Sequence, residues 1–257
     1  MESFRGEIQL LCKVIPLMIQ AIGVDAKDLK FVKGSDYQLK PEYMLDVLRL
    51  SSMTSIHDAN KAASEVVKMG DNPKVSGLIY PLMQAADEQY LDADAQLGGS
   101  DQRKIMVLAR EKLQKLCYKQ RVEIINPLIP GLIGKKMSAS VESSKVDLLD
   151  SSEVVNKKLN EAECAAGNPD NGVMAFLKYV IFTIKKDKNE EFVVKRDKKF
   201  GGNLEYGNYE DVEKDFISRK LHPLDLKNAV AEEINNLLKP IQKKKTELEK
   251  LAKKAYG

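Results

Sequence analysis

Apolar residues first recur at helical spacing: Ile8, Leu11, Ile15, Ile19 and Ile22 line one face, and Gly23 follows as a stop. A short strand or loop with turn chemistry at Lys33-Gly34-Ser35-Asp36 comes next, then a helix opening near Pro41, where a missing N–H does no harm. The pattern predicts another helix from Asp58 to Met69, broken at Gly70-Asp71-Asn72-Pro73. It then predicts a largely apolar helix across LIYPLMQAAD, with Pro81 in its first turn. YLDADAQLGG alternates small or apolar with acidic residues as a strand does. Its glycine pair leads into SDQRKIMVLAREKLQKL, a helix capped by Ser100 or Asp101. VEIINPLIPGLIG is β-branched and bounded by proline and glycine, so it predicts a strand running into KKMSAS at 135–140. Asp150, three residues before Glu153, gives a capping-box-like helix start, and mostly helical patterns follow. A domain boundary is therefore expected near residue 148, giving domains 1–148 and 149–257.

A length of 257 residues suits two modest domains. Lysine and arginine (41) nearly cancel aspartate and glutamate (38), so only local patches bear on partners. One such patch is Lys243, Lys244, Lys245, Lys250, Lys253 and Lys254 in a charged helix; it can meet nucleic-acid phosphates or simply face solvent. The absence of Trp argues against a stacking platform for single strands. Cys12, Cys117 and Cys164 are widely spaced and odd in number, so no disulfide framework and no metal site is expected, and a reducing, cytoplasmic compartment fits. Charges at Glu2, Arg5, Glu7 and Lys13 interrupt any leader or bilayer-spanning run, so no membrane partner is expected.

Candidate chemistry sits at three places. Tyr80, Gln84 and Asp87 fall at i, i+4 and i+7, a stripe about 20 to 40° wide on a helix whose other positions are apolar or small. Buried, such a stripe needs partners, and a polar ligand would supply them; the same spacing also serves surface or capping residues. Gly98 and Gly99 would let a ligand approach the backbone where a helix N-terminus offers N–H groups to phosphate or ribose. Asp101 is placed to accept from ribose hydroxyls, with Gln102 beside it; a plain turn is the other reading. In KKMSAS the lysines would neutralise phosphate oxygens and Ser138 and Ser140 add hydrogen bonds, or the segment is an exposed basic loop.

Taken together, IYPLMQAADEQYLDADAQLGGSDQRK, NPLIPGLIGKKMSAS and LHPLDLKNAVAEEI resemble the tyrosyl-tRNA synthetase family of archaeal and eukaryotic cytosolic type, from about Lys33 onward. The resemblance implies an α/β fold: a partial Rossmann-like class I catalytic domain with its connecting insertion, followed by an all-α anticodon-binding domain. It implies that Tyr80, Gln84, Asp87 and Gln102 line a tyrosine pocket, with Asp87 accepting from the substrate phenol. Gly98, Gly99 and Asp101 would meet the adenosine ribose. Lys136, Met137, Ser138, Ala139 and Ser140 would form the KMSKS-like loop, with Lys136 and Ser138 at ATP. Phe200, His222 and Asp225 would contact the anticodon; a helix cap is the other reading of Asp225. L-tyrosine, ATP carrying Mg²⁺, tRNA(Tyr) and a second copy in a homodimer are the implied partners. A tryptophan enzyme fits these four pocket residues less well.

Two departures stand out. Ala139 replaces a lysine common in the wider class, removing a charge-assisted contact of about 1.5–3 kcal/mol that Lys135 would partly restore. His57 in SIHDAN and His222 in LHPLDLKN match no HIGH-type signature. These residues alone are therefore expected to be catalytically incomplete, and a non-catalytic protein that binds tRNA or a protein partner is the alternative.

Overall fold

The isoleucine and leucine periodicity near the start does produce a helix, α1 (Glu2–Ala21), in this computed structural model, which describes residues 2–134, 137 and 141–256. Gly23 ends it at φ 91°, with Gly23 N–H donating to the Gln20 carbonyl and Val24 N–H to that of Ile19, a paired closure that uses two otherwise orphaned acceptors. The packed face differs from expectation. Leu10, Val14 and Leu17 lie against a core while Leu11 and Ile22 are exposed, because the helix is apolar on more than one side.

The next elements are α2 (Pro41–Ser52), α3 (Ile56–Ala63), α4 (Val75–Tyr90), β1 (Ala95–Gly99), α5 (Arg103–Leu113) and β2 (Val122–Asn126). Residues 31–128 form one compact unit. Pro41 opens α2, which buries Tyr43, Val47 and Leu50 at helical spacing. Ser55 caps α3 by accepting from the Asp58 N–H at 3.0 Å, so that helix begins before Asp58; it ends at Ala63, well short of Met69. Pro81 lies inside α4, not in its first turn. Burial of Pro81, Leu82, Ala85 and Ala86 on that helix offsets the roughly 3 kcal/mol that an interior proline costs.

Strands β1 and β2 pair in parallel, Leu97 opposite Ile124, with α5 connecting them: the β-α-β unit of a doubly wound fold. Leu97 (68% exposed), Val122 and Ile124 share the uncovered face. Gln96 and Glu123 occupy the other face, bonded to Glu88 of α4 and Arg110 of α5.

A second unit combines residues 1–30 with 129–257. It contains α1, α6 (Ser152–Glu161), α7 (Gly172–Phe176), which continues through a wider π turn at Leu177–Ile181 into α8 (Phe182–Lys188), β3 (Phe192–Val194), β4 (Leu204–Tyr206), α9 (Tyr209–Ile217), α10 (Pro223–Gln242) and α11 (Lys245–Tyr256). The units do not follow one linear boundary near residue 148, because α1 packs on α10 and α11. Ser151, not Asp150, caps α6; Asp150 instead accepts from Lys158 Nζ at 2.8 Å and from the Asp147 N–H at 2.8 Å. The antiparallel pair β3–β4 interrupts the helical texture expected here. Leu159, Val173, Leu177, Phe192, Phe216 and Val230 lie at the centre of the core.

Candidate active site

Helix α4 presents the polar stripe, and its partners come from two directions. From the segment leading into α2 and from α2 itself, Gln38 Nε2 donates to Asp87 Oδ1 at 3.0 Å and lies 3.4 Å from Oδ2, while the Tyr43 hydroxyl sits 2.8 Å from Oδ1. The same hydroxyl is 2.9 Å from the Met83 carbonyl, one helical turn before Asp87. Tyr43 packs edge-on against Tyr37 at 5.6 Å and Tyr90 at 4.9 Å. Burial and the adjacent Asp87 charge push the Tyr37 phenol up to about 12 and raise that of Tyr43 further, so both hydroxyls keep their protons at neutral pH.

From the start of α5, Gln102 receives a 3.0 Å hydrogen bond from Gln84 Nε2. The other end of that amide, Gln84 Oε1, is buried with no hydrogen-bond partner among the described residues. An acceptor in that state costs about 1–3 kcal/mol unless a ligand or water donates to it. Tyr80 is 47% exposed and stands at the lip of a shallow hollow with Met69, Asn72 and Ser76. The structure thus joins Gln84 to Gln102 and sets Asp87 one turn further along α4, with Tyr80 towards solvent.

Gly98 and Gly99 close β1, and a short turn at Ser100–Gln102 carries the chain into α5. A Cβ on Gly98 would come 2.6 Å from Met106 Cε, and one on Gly99 2.7 Å from Asp101 Oδ1. Both glycines therefore let the turn fold back tightly, which sets Asp101 and Gln102 at the entrance to α5. Lys135, Lys136, Ser138, Ala139 and Ser140 lie outside the described residues; Met137 contributes to the wall of an apolar cavity of about 250 Å³ in the second unit, together with Met18, Leu132 and Phe176.

In the second unit, His222 caps α10, its Nδ1 accepting from the Leu224 N–H at 3.1 Å, so the cap is His222 and not Asp225. Asp225 sits in the first turn of α10, where its charge complements the helix dipole. Phe200 is 62% exposed at the end of a short turn, with Lys199 Nζ 5.0 Å from its ring centre. Lys245 donates to the Leu149 carbonyl at 2.9 Å and Lys254 to Gln9 at 3.3 Å; Lys243, Lys244, Lys250, Lys253 and Lys254 are all exposed.

Sequence spacing gave no sign of Gln38 and Tyr43, which reach Asp87 from 49 and 44 residues away. It also gave no sign of two buried carboxylates. Asp46 accepts from Tyr90 at 2.9 Å, Tyr118 at 2.5 Å and Arg49 at 3.1 Å. Glu88 accepts from Gln96 at 2.5 Å. The stretch DYQLKPEYMLD, with polar residues around a proline, is the only local hint of Asp46 and of the Asp87 partners Gln38 and Tyr43.

A β-α-β unit with a polar helix stripe beside its glycine turn is compatible with a class I synthetase, and the family model for class I tRNA synthetases (W and Y) matches residues 6–239; the chain belongs to that family. Within it, the chain falls with the tyrosine enzymes of cytoplasmic and archaeal type. It is 53% identical over 247 residues to the cytoplasmic tyrosine–tRNA ligase of Danio rerio, covering 95% of this chain and 46% of that protein. It is 43% identical over 240 residues to the tyrosine–tRNA ligase of Haloarcula marismortui, covering 93% and 69%. The crystal structure of tyrosyl-tRNA synthetase from Archaeoglobus fulgidus, complexed with L-tyrosine, is similar with TM-score 0.83 and 41% identity, over 92% of this chain and 73% of that one. The chain thus spans about half the length of its vertebrate relative.

Proposed function

We propose that the chain serves a tyrosine–tRNA ligase: ATP-dependent activation of L-tyrosine to tyrosyl-adenylate, then transfer to tRNA(Tyr). The observation that carries this reading is the orphaned, buried Gln84 Oε1 beside Gln102, one turn from a carboxylate already held as an acceptor. An α-ammonium group donates to the glutamine pair, and a phenol donates to Asp87. A phenylalanine ring would leave Asp87 without that donor, which disfavours it; the general rule for such sites is illustrated by tyrosyl-tRNA synthetase itself.

In this scheme the substrate carboxylate attacks the α-phosphorus of ATP, pyrophosphate leaves, and a terminal tRNA ribose hydroxyl then takes the tyrosyl group. No covalent enzyme intermediate is required, so the protein's contribution is positioning and charge neutralisation. Tyr80 closes the amino-acid side; Gly98, Gly99 and Asp101 hold the ribose; Lys136 and Ser138 of the KMSAS loop meet the phosphates. Mg²⁺ travels with ATP and neutralises its oxygens. Phe200 stacks on an unpaired anticodon base, with His222 and Asp225 reading base edges, and the exposed lysines of α11 meet tRNA phosphates.

The protein works in the cytoplasm as a homodimer. Supporting the dimer, α2 turns Met44, Leu45 and Leu48 outward next to exposed Leu39 and Ile56. Among the described residues no helix is long and apolar enough to cross a membrane.

Residues 1–257 by themselves are catalytically incomplete, since neither His57 nor His222 sits in a HIGH-like motif. The test has two arms. L-tyrosine, but not L-tryptophan, raises the melting temperature of the purified chain, and the chain shows no tyrosine-dependent pyrophosphate exchange. A shift with tryptophan alone overturns the substrate; appreciable exchange overturns the incompleteness.

A further inference from the structure

We propose that Tyr43 is a positioning residue that aims Asp87 at the substrate phenol, so that discrimination between tyrosine and phenylalanine is set from α2 as well as from α4. The inference rests on reading Asp87 as the phenol acceptor. Tyr43 is 0% exposed, and its single hydroxyl proton is shared between Asp87 Oδ1 at 2.8 Å and the Met83 carbonyl at 2.9 Å, which holds the carboxylate close to the backbone of its own helix. The ring has little freedom to turn. Tyr37 and Tyr90 pack edge-on against it, and the Tyr90 hydroxyl is itself fixed by Asp46 at 2.9 Å.

Gln38 adds a second donor to the same Oδ1 at 3.0 Å and only a long 3.4 Å contact to Oδ2. Gln38 and Tyr43 therefore both donate to one carboxylate oxygen and orient the group, the Tyr37 hydroxyl adds a further hydrogen bond to the carboxylate, and acceptor capacity remains for an incoming hydroxyl. A carboxylate free to rotate would spread that capacity over several directions, and a phenol of fixed position would meet it in only some of them. Preorganisation of this kind acts on a ligand that carries the hydroxyl and is silent for one that lacks it.

The test is isothermal titration of the purified chain with L-tyrosine and with L-phenylalanine, for the parent, Tyr43→Phe, Gln38→Leu and Asp87→Ala. Tyr43→Phe is expected to weaken tyrosine by about tenfold, the loss of one hydrogen bond to a charged group, while phenylalanine affinity stays within about twofold. Gln38→Leu moves the ratio in the same direction by less, and Asp87→Ala abolishes the preference. A merely structural role would weaken both ligands alike, and that result, or an unchanged ratio, overturns the proposal. If Tyr43→Phe does not fold, Gln38→Leu decides, and an unchanged tyrosine-to-phenylalanine ratio there overturns it. Asp87→Ala with preference retained, or a parent chain without saturable tyrosine binding, overturns the pocket reading and this proposal with it.

Discussion

Replacing Glu88 by Gln should stabilise the protein above neutral pH and leave it unchanged in acid. Glu88 is 7% exposed in the first compact unit, directly after Asp87 on α4. Burial pushes its carboxyl from the usual 4.5 up to about 7; the Gln96 hydrogen bond and the Arg121 charge oppose this, and Glu123 adds to it. The folded state therefore holds this proton more tightly than the unfolded chain. The stabilisation is complete below about pH 4.5, declines as pH rises and is lost above about 7.

The displacement from 4.5 to about 7 corresponds to about 3 kcal/mol between the two limits. Glu88→Gln keeps the shape, accepts from Gln96 through its carbonyl and carries no charge to bury. Urea denaturation at pH 5 and pH 8 measures the difference between variant and parent. The chain has no tryptophan, so tyrosine emission and far-ultraviolet circular dichroism report the transition. The variant should exceed the parent by about 3 kcal/mol at pH 8 and by much less at pH 5. An equal difference at both pH values, or a more stable parent at pH 8, would refute the reasoning.

Two further substitutions probe packing. Asp46→Ala strips the Tyr90 and Tyr118 hydroxyls of their acceptor and should cost about 3 kcal/mol in urea; a loss below about 1 kcal/mol would show that water reaches them. Burial raises the Asp46 carboxyl, but hydrogen bonds from Tyr118, Tyr90 and Arg49 outweigh it and hold it low, so this contribution disappears from the parent as pH falls through that lowered value. Gly172→Ala would put a Cβ 2.2 Å from the Gly131 carbonyl oxygen, a backbone atom with nowhere to retreat, and should destabilise by about 1–3 kcal/mol or more; a neutral melting temperature would refute the clash.

The elements that carry the candidate residues were legible in the chain because helices report their own geometry. The spacing of Tyr80, Gln84 and Asp87 placed them on one stripe of α4, and the glycine pair before a helical pattern marked the β1-to-α5 turn. What escaped was set by distance or brevity. Tyr43 and Gln38 meet Asp87 across more than forty residues, and no periodicity carries that information. Strands β3 and β4 are three residues each, too short for alternation to emerge from helical surroundings. Pro81 was misplaced for another reason: a local rule puts proline in a first turn, but here α4 begins at Val75 and tertiary burial carries an interior proline. Likewise, nothing in the α1 pattern foretold which of its apolar sides would be covered, since that depends on α10 and α11.

The pairing of α1 with α11 has a consequence for biosynthesis. Lys254 reaches Gln9 across 245 residues, and a Cβ on Gly6 would collide with the backbone of Ala255, so these two helices meet only once nearly all of this chain has been made. Residues 31–128 are contiguous and can assemble as soon as they leave the ribosome. Leu10, Val14 and Leu17 must wait for their cover, on the order of ten seconds or more at ordinary translation rates. For that interval the apolar face of α1 lacks the cover that α10 and α11 give it.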